Sequence, residues 1–313
     1  MTAGAGPDRP AGVAGPPAGQ VGGPAGLGGA RTSTRRRARD WALWIACGLS
    51  FALIAAPALS VIFSVFHRAW PGLDLSLLTR RTVVTAGLQN AILGTLVLLL
   101  GVLVVAGTVG VAAGIWLAEL APPRTGSVLR FLSEVLSGSP SIVIGYVGYV
   151  ALVVGLHWQE GLLPAVLALS ALVLPYIVKN TEVALRQVPT ALREASEALG
   201  LHRSRSVARV LLPPALPGIV SGVVVALAIS TGETAPLLFT AGFSNFNPTF
   251  HLLHHQIGYL TVVTYNDISI PGRAYAVQGA AAAAVTLVIL VILILAGRAI
   301  TARARRATER MSL

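Results

Sequence analysis

The chain has 313 residues, of which 54% are hydrophobic and 11% are charged, and its mean hydropathy is +0.75. Soluble domains carry about 25% charged residues, so this composition excludes an ordinary soluble enzyme or binding module and indicates an integral membrane protein. The net charge of +11 belongs to basic residues that flank apolar segments, which indicates orientation in a lipid bilayer and no binding of nucleic acid. The single cysteine, Cys47, excludes disulfides within the chain and cysteine-based metal sites.

The amino-terminal part divides into a tail and a first membrane helix. Residues 1–30 are rich in Gly, Ala and Pro, a composition that cannot bury enough apolar surface to fold, so we expect a disordered, dispensable cytoplasmic tail. Residues 31–84 hold a basic flank, a first helix and an outer loop. The apolar run at 41–66 is too long for the apolar core of a signal peptide, which predicts a membrane-spanning helix.

Six apolar segments are long enough to cross a bilayer, which takes about 20 helical residues. They lie at roughly 41–66, 89–118, 134–156, 161–178, 216–240 and 274–297. An all-α protein with six spans has both termini on one side. Placing the termini in the cytoplasm puts 19 basic residues inside and 4 outside, as the positive-inside rule requires. We therefore expect a multi-pass protein of the cytoplasmic membrane, with residues 298–313 as a basic cytoplasmic tail.

The cytoplasmic loop at 179–215 predicts two short helices. The first, at 190–199, follows Pro189 and places Leu192, Ala195 and Leu199 on one face. Gly200 then stands where a left-handed C-terminal cap is needed. The second helix, at 204–211, is expected to stop at Pro213-Pro214. Pattern alone leaves two interpretations, an amphipathic surface pair or a docking element held at a fixed angle by the glycine.

This loop resembles the EAA signature of ABC-importer permeases, in which Glu-Ala-Ala is followed by a Gly and then by Ile-x-Leu-Pro. The matching residues are Glu194, Ala195, Gly200, Val210, Leu212 and Pro213, with Ser196 in place of the second Ala and Val210 in place of the Ile. The resemblance implies that the loop, with Arg205 on its second helix, couples the chain to a cytoplasmic ATPase.

Further stretches resemble the PstA-like family of transmembrane subunits in bacterial phosphate importers. They are "NAILGTL", "GIWLAELAP", "SPSIVIGYVG", "VLPYIVKNTEVALRQVP" and "GETAPLLFTAG", and the likeness covers 85–297. It implies a type I ABC-importer permease with a five-helix core that moves inorganic phosphate by alternating access. The implied partners are a second permease in a heterodimer, two copies of a cytoplasmic ATPase and an extracytoplasmic phosphate-binding protein.

The chain contains no phosphate-binding loop of the G-x-x-x-x-G-K-[ST] type. We therefore expect a non-catalytic subunit that binds no cofactor, with ATP and Mg held by the partner ATPase.

The carboxylate of Glu233 lies inside an apolar segment, where a charge costs at least a few kcal/mol and is rarely idle. Gly232 and Pro236 on either side predict a helix break, and broken membrane helices commonly line transport pathways. The candidate pathway residues, chosen for their carboxylate or hydroxyl groups, are Glu233, Thr234, Ser230, Thr231, Ser139 and Ser141.

Three interpretations of Glu233 stay open. It pairs with an arginine, it accepts the P–OH proton of phosphate, or it caps the second half-helix. Many phosphate permeases carry an arginine one turn earlier, where this chain has Ile229 and Ser230. A pairing cation would therefore come from the partner permease or from Arg80, Arg81 or Arg273.

Several alternatives remain beside these assignments. Ser139 and Ser141 flank Pro140 and are also consistent with a simple packing kink. The outer loop with His251, His254 and His255 is expected to be solvated or to contact the binding protein, and no metal site is assigned. The rival functions are a permease for sulfate, molybdate or tungstate, or a secondary transporter that needs no ATPase.

Overall fold

The computed structural model describes residues 34–74, 76–82, 87–248 and 252–311, and in these residues the regular secondary structure is helical. The helices are α1 (Thr34–Ala69), α2 (Ser76–Thr79), α3 (Gln89–Glu119), α4 (Pro123–Ser137), α5 (Ser141–Gly155), α6 (Leu162–Arg186), α7 (Thr190–Ala198), α8 (Arg203–Gly232), α9 (Ala235–Thr240), α10 (Leu260–Ser269) and α11 (Arg273–Met311). The all-α prediction is confirmed. The tail at 1–30 lies outside the described residues.

The chain forms two compact units, 1–59 and 60–313. In the first unit, the described residues belong to α1, whose Trp41, Leu53 and Ile54 side chains are exposed. Exposure of apolar side chains along several turns of a helix is typical of a surface that faces lipid or another membrane subunit.

In the second unit, four helices build the core. Helix α6 packs against α3 and α8, and α8 also packs against α11. The buried side chains between them are small or branched, among them Ala165, Leu169, Val173, Ala226 and Ala281. Small residues at such contacts let membrane helices approach closely, so the alanine run at 280–284 is a packing surface, as its composition predicts.

The described residues contain five helices that are long and apolar enough to span a membrane, or six if one bent pair counts as a single span. The bent pair is α4 and α5, which meet at 102° around residues 138–140. The segment predicted as the third span, at 134–156, is therefore sharply bent at the proline and is not one continuous helix. Pro140 has no amide to donate to the preceding turn and disfavours helical backbone at Ser139. The helix is therefore interrupted at these residues, although the apolar pattern of the sequence continues through them.

The helices on either side of the predicted cytoplasmic loop at 179–215 extend into it. Helix α6 continues past Lys179 to Arg186, and α8 begins at Arg203, so only 187–202 separate these long helices. The predicted fourth span ended at residue 178 because Lys179 is charged, but a helix can continue beyond the apolar layer. The prediction that the second short helix stops at Pro213-Pro214 fails for another reason. A wide π-type turn at Val207–Leu211 precedes the prolines. The prolines then lie in the first turn of the regular α-helical part of α8, Leu212–Gly232, where no amide is needed.

Helices α5 and α9 contact each other through backbone. A Cβ on Gly145 would lie 2.5 Å from the Cα of Pro236, closer than real Cβ contacts allow. The α5 backbone therefore rests directly on the first turn of α9, and this contact holds the second half of the bent pair against the segment that follows Gly232.

We expect Gly145→Ala to destabilise the subunit, because two backbones must separate to admit one methyl group. Overpacking of this kind costs about 1–3 kcal/mol. The measurement is the thermal unfolding midpoint of the detergent-purified subunit.

Gly48→Ala is the matched control, because a Cβ at Gly48 meets nothing within 4 Å. Equal midpoints for the two variants would contradict the close approach.

Candidate transport pathway and loop helix

The segment around Glu233 is a break between two helices. Helix α8 ends at Gly232, Glu233 has extended backbone with φ −73° and ψ 132°, and α9 begins at Ala235. Pro236 lies in the first turn of α9, where its missing amide leaves no bond unmade. The predicted break is confirmed, and it lies between Gly232 and Ala235.

The Glu233 side chain is half-buried and lies beside the start of α5. Ser141, the first residue of α5, lies close enough to interact with its carboxylate. The backbone carbonyl of Glu233, freed by the break, accepts a hydrogen bond from the Thr261 hydroxyl at 3.0 Å. Two of the candidate residues, Glu233 and Ser141, are thus brought together from segments that are far apart in sequence.

Other candidate hydroxyls are engaged by their own helices. Ser230 and Thr231 are buried, and they donate to the carbonyls of Ala226 and Leu227 at 3.0 and 2.8 Å. Ser139 likewise donates to the Val135 carbonyl at 3.0 Å. Such bonds within a helix are what a hydroxyl makes when it faces apolar surroundings. Thr234 is half-buried at the start of α9.

A small cavity beside the break adds polar groups that the sequence did not single out. Thr95, Tyr259 and Thr261 line it together with Ser230, Thr231 and Glu233. The Tyr259 hydroxyl is buried and has no hydrogen-bond partner among the described residues. Thr95 could have been noticed as a hydroxyl in an apolar run, whereas Tyr259 and Thr261 belong to a segment with no helical apolar period, and α10 was not predicted.

The loop helix α7 ends in a tight turn at Gly200. The glycine has φ +66°, its amide bonds the Glu197 carbonyl at 2.9 Å, and the Leu201 amide bonds the Ser196 carbonyl at 3.1 Å. These bonds satisfy the last carbonyls of α7 in a Schellman motif. The predicted left-handed cap is confirmed.

A second contact sets the angle between α7 and α8. The Ser196 hydroxyl donates to the Arg193 carbonyl at 2.8 Å and lies 2.6 Å from the Ser206 hydroxyl across the turn. Both serines are buried. The serine that replaces alanine in the EAA pattern is therefore the residue that joins the two helices.

The EAA-like residues fall into two groups in the structure. Glu194, Ala195 and Arg205 are exposed, as are Leu192 on α7 and Leu199, which directly follows α7 on the same apolar side. Val210 and Leu212 are half-buried and pack on a cluster that includes Leu185 and Leu211, and Pro213 is half-buried beside them. The exposed residues of the loop thus lie next to a set of residues that pack in the core.

Two ion-pair clusters lie near the ends of α3 and α6. Arg193 on α7 contacts Glu119 at 2.6 Å. Glu182 on α6 accepts from Arg130 at 2.7 Å and lies 2.8 Å from Arg186. The sequence alone indicates no pairing of Glu119 with Arg193, because the two residues are 74 positions apart.

The outer loop contains His254 and His255, which line a cleft with Glu160 and Gln256. Gln256 donates to the Glu160 carboxylate at 2.9 Å. Among the described residues no group of three or more His, Cys, Asp or Glu side chains is placed to hold a metal. His251 lies outside the described residues.

Comparison with known proteins defines the class of protein. Residues 110–308 match the family described as the binding-protein-dependent transport system inner membrane component. The fold resembles the inward-facing MetNI methionine ABC transporter, with a TM-score of 0.53 at 24% identity over 70% of this chain and 96% of that chain. It also resembles a bacterial ABC transporter that imports alginate, with a TM-score of 0.57 at 15% identity over 86% and 98%. The chain is a multi-pass inner-membrane permease with the fold of ABC importers.

Relatives narrow the family further. The phosphate transport system permease protein PstA 2 of Mycobacterium bovis is 48% identical over 241 residues, which are 77% of this chain and 80% of the relative. PstA of Xylella fastidiosa is 40% identical over 182 residues, or 57% and 63% of the two chains. The chain therefore belongs to the PstA family of permeases. Membership implies association with ATPase and binding-protein partners.

We expect Gly200→Val to disrupt the turn and to abolish stimulation of ATP hydrolysis by the loaded binding protein in the assembled complex. A Cβ at this position would meet nothing within 4 Å, so the substitution causes no steric clash with other residues. It is unfavourable because the backbone has positive φ, which a β-branched residue strongly disfavours.

Gly200→Asn is the control, because asparagine tolerates left-handed backbone. Its stimulated hydrolysis should stay within about twofold of the parent, since replacing Gly costs little where αL is tolerated. Equal loss in both variants would show that the backbone conformation is not what the turn supplies.

Proposed function

We propose that this chain is a transmembrane subunit of an ATP-driven importer that moves inorganic phosphate into the cell by alternating access. The observation that supports phosphate as the substrate is the 48% identity to a phosphate permease over 77% of the chain. The helix break at Glu233 supports a polar pathway through the second unit. In this proposal both termini face the cytoplasm, as the distribution of basic residues indicates.

The exposed face of α7 supports the proposed contact with the ATPase. Leu192 on α7 and Leu199 directly after it are exposed on one side of the helix, and Glu194 is exposed on another side. An amphipathic helix with its apolar side exposed suits a groove on a partner. In this proposal two ATPase copies hold ATP and Mg, a second permease completes the pathway, and this chain hydrolyses nothing. A phosphate-binding protein delivers the substrate from outside.

Glu233 lies in the proposed pathway with Ser141, and we propose that it holds a cation from the partner permease. Its charge has no salt bridge among the described residues, and Arg81 lies elsewhere, with its guanidinium 6.0 Å from the Phe246 ring. The carboxylate interacts with Ser141, and among the described residues it accepts no hydrogen bond from a backbone amide of α9, which disfavours the capping interpretation. A cation from the partner would offset the carboxylate and attract the anion.

The function is tested with the complete complex in liposomes, by the uptake of radiolabelled phosphate and sulfate with and without ATP. We expect uptake that requires ATP and the binding protein and that favours phosphate at least tenfold, about 1.4 kcal/mol of discrimination. Equal sulfate uptake would contradict the substrate, and uptake without ATP would favour the secondary transporter.

Glu233→Gln should lower phosphate uptake about a hundredfold or more while assembly stays normal. The amide keeps the shape but leaves the partner's cation unpaired, which costs roughly 3–5 kcal/mol for a buried pair. A role limited to capping predicts a loss of about 1 kcal/mol or less. If Glu233 accepts the P–OH proton, uptake falls moderately and discrimination against sulfate shrinks.

Glu160→Gln provides the control, since this carboxylate lies in the outer cleft and bonds Gln256. Uptake by Glu233→Gln within about threefold of the parent (roughly 0.7 kcal/mol), with unchanged selectivity, would refute the pathway role.

A further inference from the structure

Two arginines bridge the same pair of membrane helices from different sides. Arg193 on α7 donates through Nη1 to Glu119 Oε2 at 2.6 Å and through Nη2 to the Leu185 carbonyl at 2.8 Å. Its two partners belong to α3 and α6. One guanidinium thus ties the loop helix to the ends of both long helices.

Arg130 repeats this arrangement from α4 with the partners exchanged. Its Nε donates to Glu182 Oε1 on α6 at 2.7 Å, and its Nη2 donates to the Leu117 carbonyl on α3 at 3.1 Å. Each arginine therefore bonds one carboxylate and one carbonyl, and each bonds both α3 and α6. We name Arg130, Arg193, Glu119 and Glu182 the arginine clamp.

The carboxylates of the clamp are shielded from water. The side chains of Glu119 and Glu182 are 9% and 10% exposed, against 27% for Arg193 and 36% for Arg130. The other oxygen of Glu119 is buried with no hydrogen-bond partner among the described residues, so this carboxylate depends on Arg193. Shielded, forked contacts of this kind hold a fixed geometry better than exposed ion pairs do.

The clamp connects to the Glu233 site through the bend between α4 and α5. Arg130 fixes α4 to α3 and α6, and the chain then turns by 102° around residues 138–140. Beyond the turn, α5 rests on α9 through Gly145, and Ser141 at the start of α5 lies beside Glu233. The bend lies between a segment held by the clamp and a segment held by the broken helix.

We propose that Arg193 and Arg130 are positioning residues that make α7, α4 and the ends of α3 and α6 move together, so that a push on α7 reaches the bend and the Ser141–Glu233 contact. The direction of the push rests on the proposed contact between α7 and the ATPase. Fixed contacts with two helices transmit a displacement, whereas a flexible attachment of α7 would absorb it.

Arg186 offers a matched control. It shares the Glu182 carboxylate with Arg130 but lies on the same helix, four residues further on. Its ion pair joins no second helix. Removing Arg186 therefore removes a charge from the same cluster without loosening α7 or α4.

The test measures phosphate imported per ATP hydrolysed by the complete complex in liposomes for Arg193→Gln, Arg130→Gln and Arg186→Gln. We expect the ratio to fall at least fivefold for the first two variants, with stimulation of hydrolysis by the binding protein largely lost. The ratio for Arg186→Gln should stay within twofold of the parent. An unchanged ratio for Arg193→Gln, or equal losses in all three variants, would overturn the proposal.

Two further variants separate coupling from loss of folding. Arg193→Lys keeps the charge but cannot fork to both partners, so its ratio should lie between those of the parent and Arg193→Gln. The double variant Arg193→Gln with Glu119→Gln should lose no more than the worse single variant, and additive losses would refute a shared contact. If the parent complex imports no phosphate, the proposed substrate fails, while binding-protein-stimulated hydrolysis in the same variants still decides the clamp.

Discussion

Backbone hydrogen bonding in an apolar layer is the constraint on which this architecture depends. A helix satisfies its own amides and carbonyls, but a break leaves some of them without partners, and lipid offers none. At Glu233 the freed carbonyl is bonded by Thr261. Thr261 is held there by α10, whose first amide, that of Leu260, bonds the Thr95 hydroxyl at 3.0 Å. Hydrogen bonds therefore link the break at Glu233 to α10 and link α10 to Thr95. The broken helix depends on α10 to satisfy its freed carbonyl.

Two regions of the second unit are held together by different interactions. In the apolar layer the contacts are close approaches of small residues, as at Gly145 against Pro236. At the ends of α3 and α6 the contacts are forked hydrogen bonds from guanidinium groups. Packing resists sliding of helices but has little directional preference, whereas forked bonds fix orientation. The forked bonds of Arg193 therefore hold α7 in a fixed orientation against α3 and α6.

The sequence predicted what is local and missed what depends on tertiary contact. The break at Gly232–Pro236 and the cap at Gly200 follow from the backbone limits of proline and glycine, so both were predictable to within a residue. The apolar pattern predicted the long helices but not where they end. Lys179, for example, lies inside α6, which continues to Arg186. The contact of Ser141 with Glu233 and the ion pair of Arg193 with Glu119 join distant segments, and no spacing in a single sequence encodes such pairs.

The bond between Ser196 and Ser206 has a consequence for how the loop meets a partner. Together with the turn at Gly200, it sets the angle between α7 and α8 within the free subunit. Ordering a flexible surface on association costs about 0.5–1.5 kcal/mol for each immobilised long side chain. A preorganised pair of helices avoids much of that entropic cost, so more of the contact energy is retained as affinity. Association would then resemble the docking of two rigid bodies, with the rate of encounter set by diffusion and surface charge and not by folding of the loop.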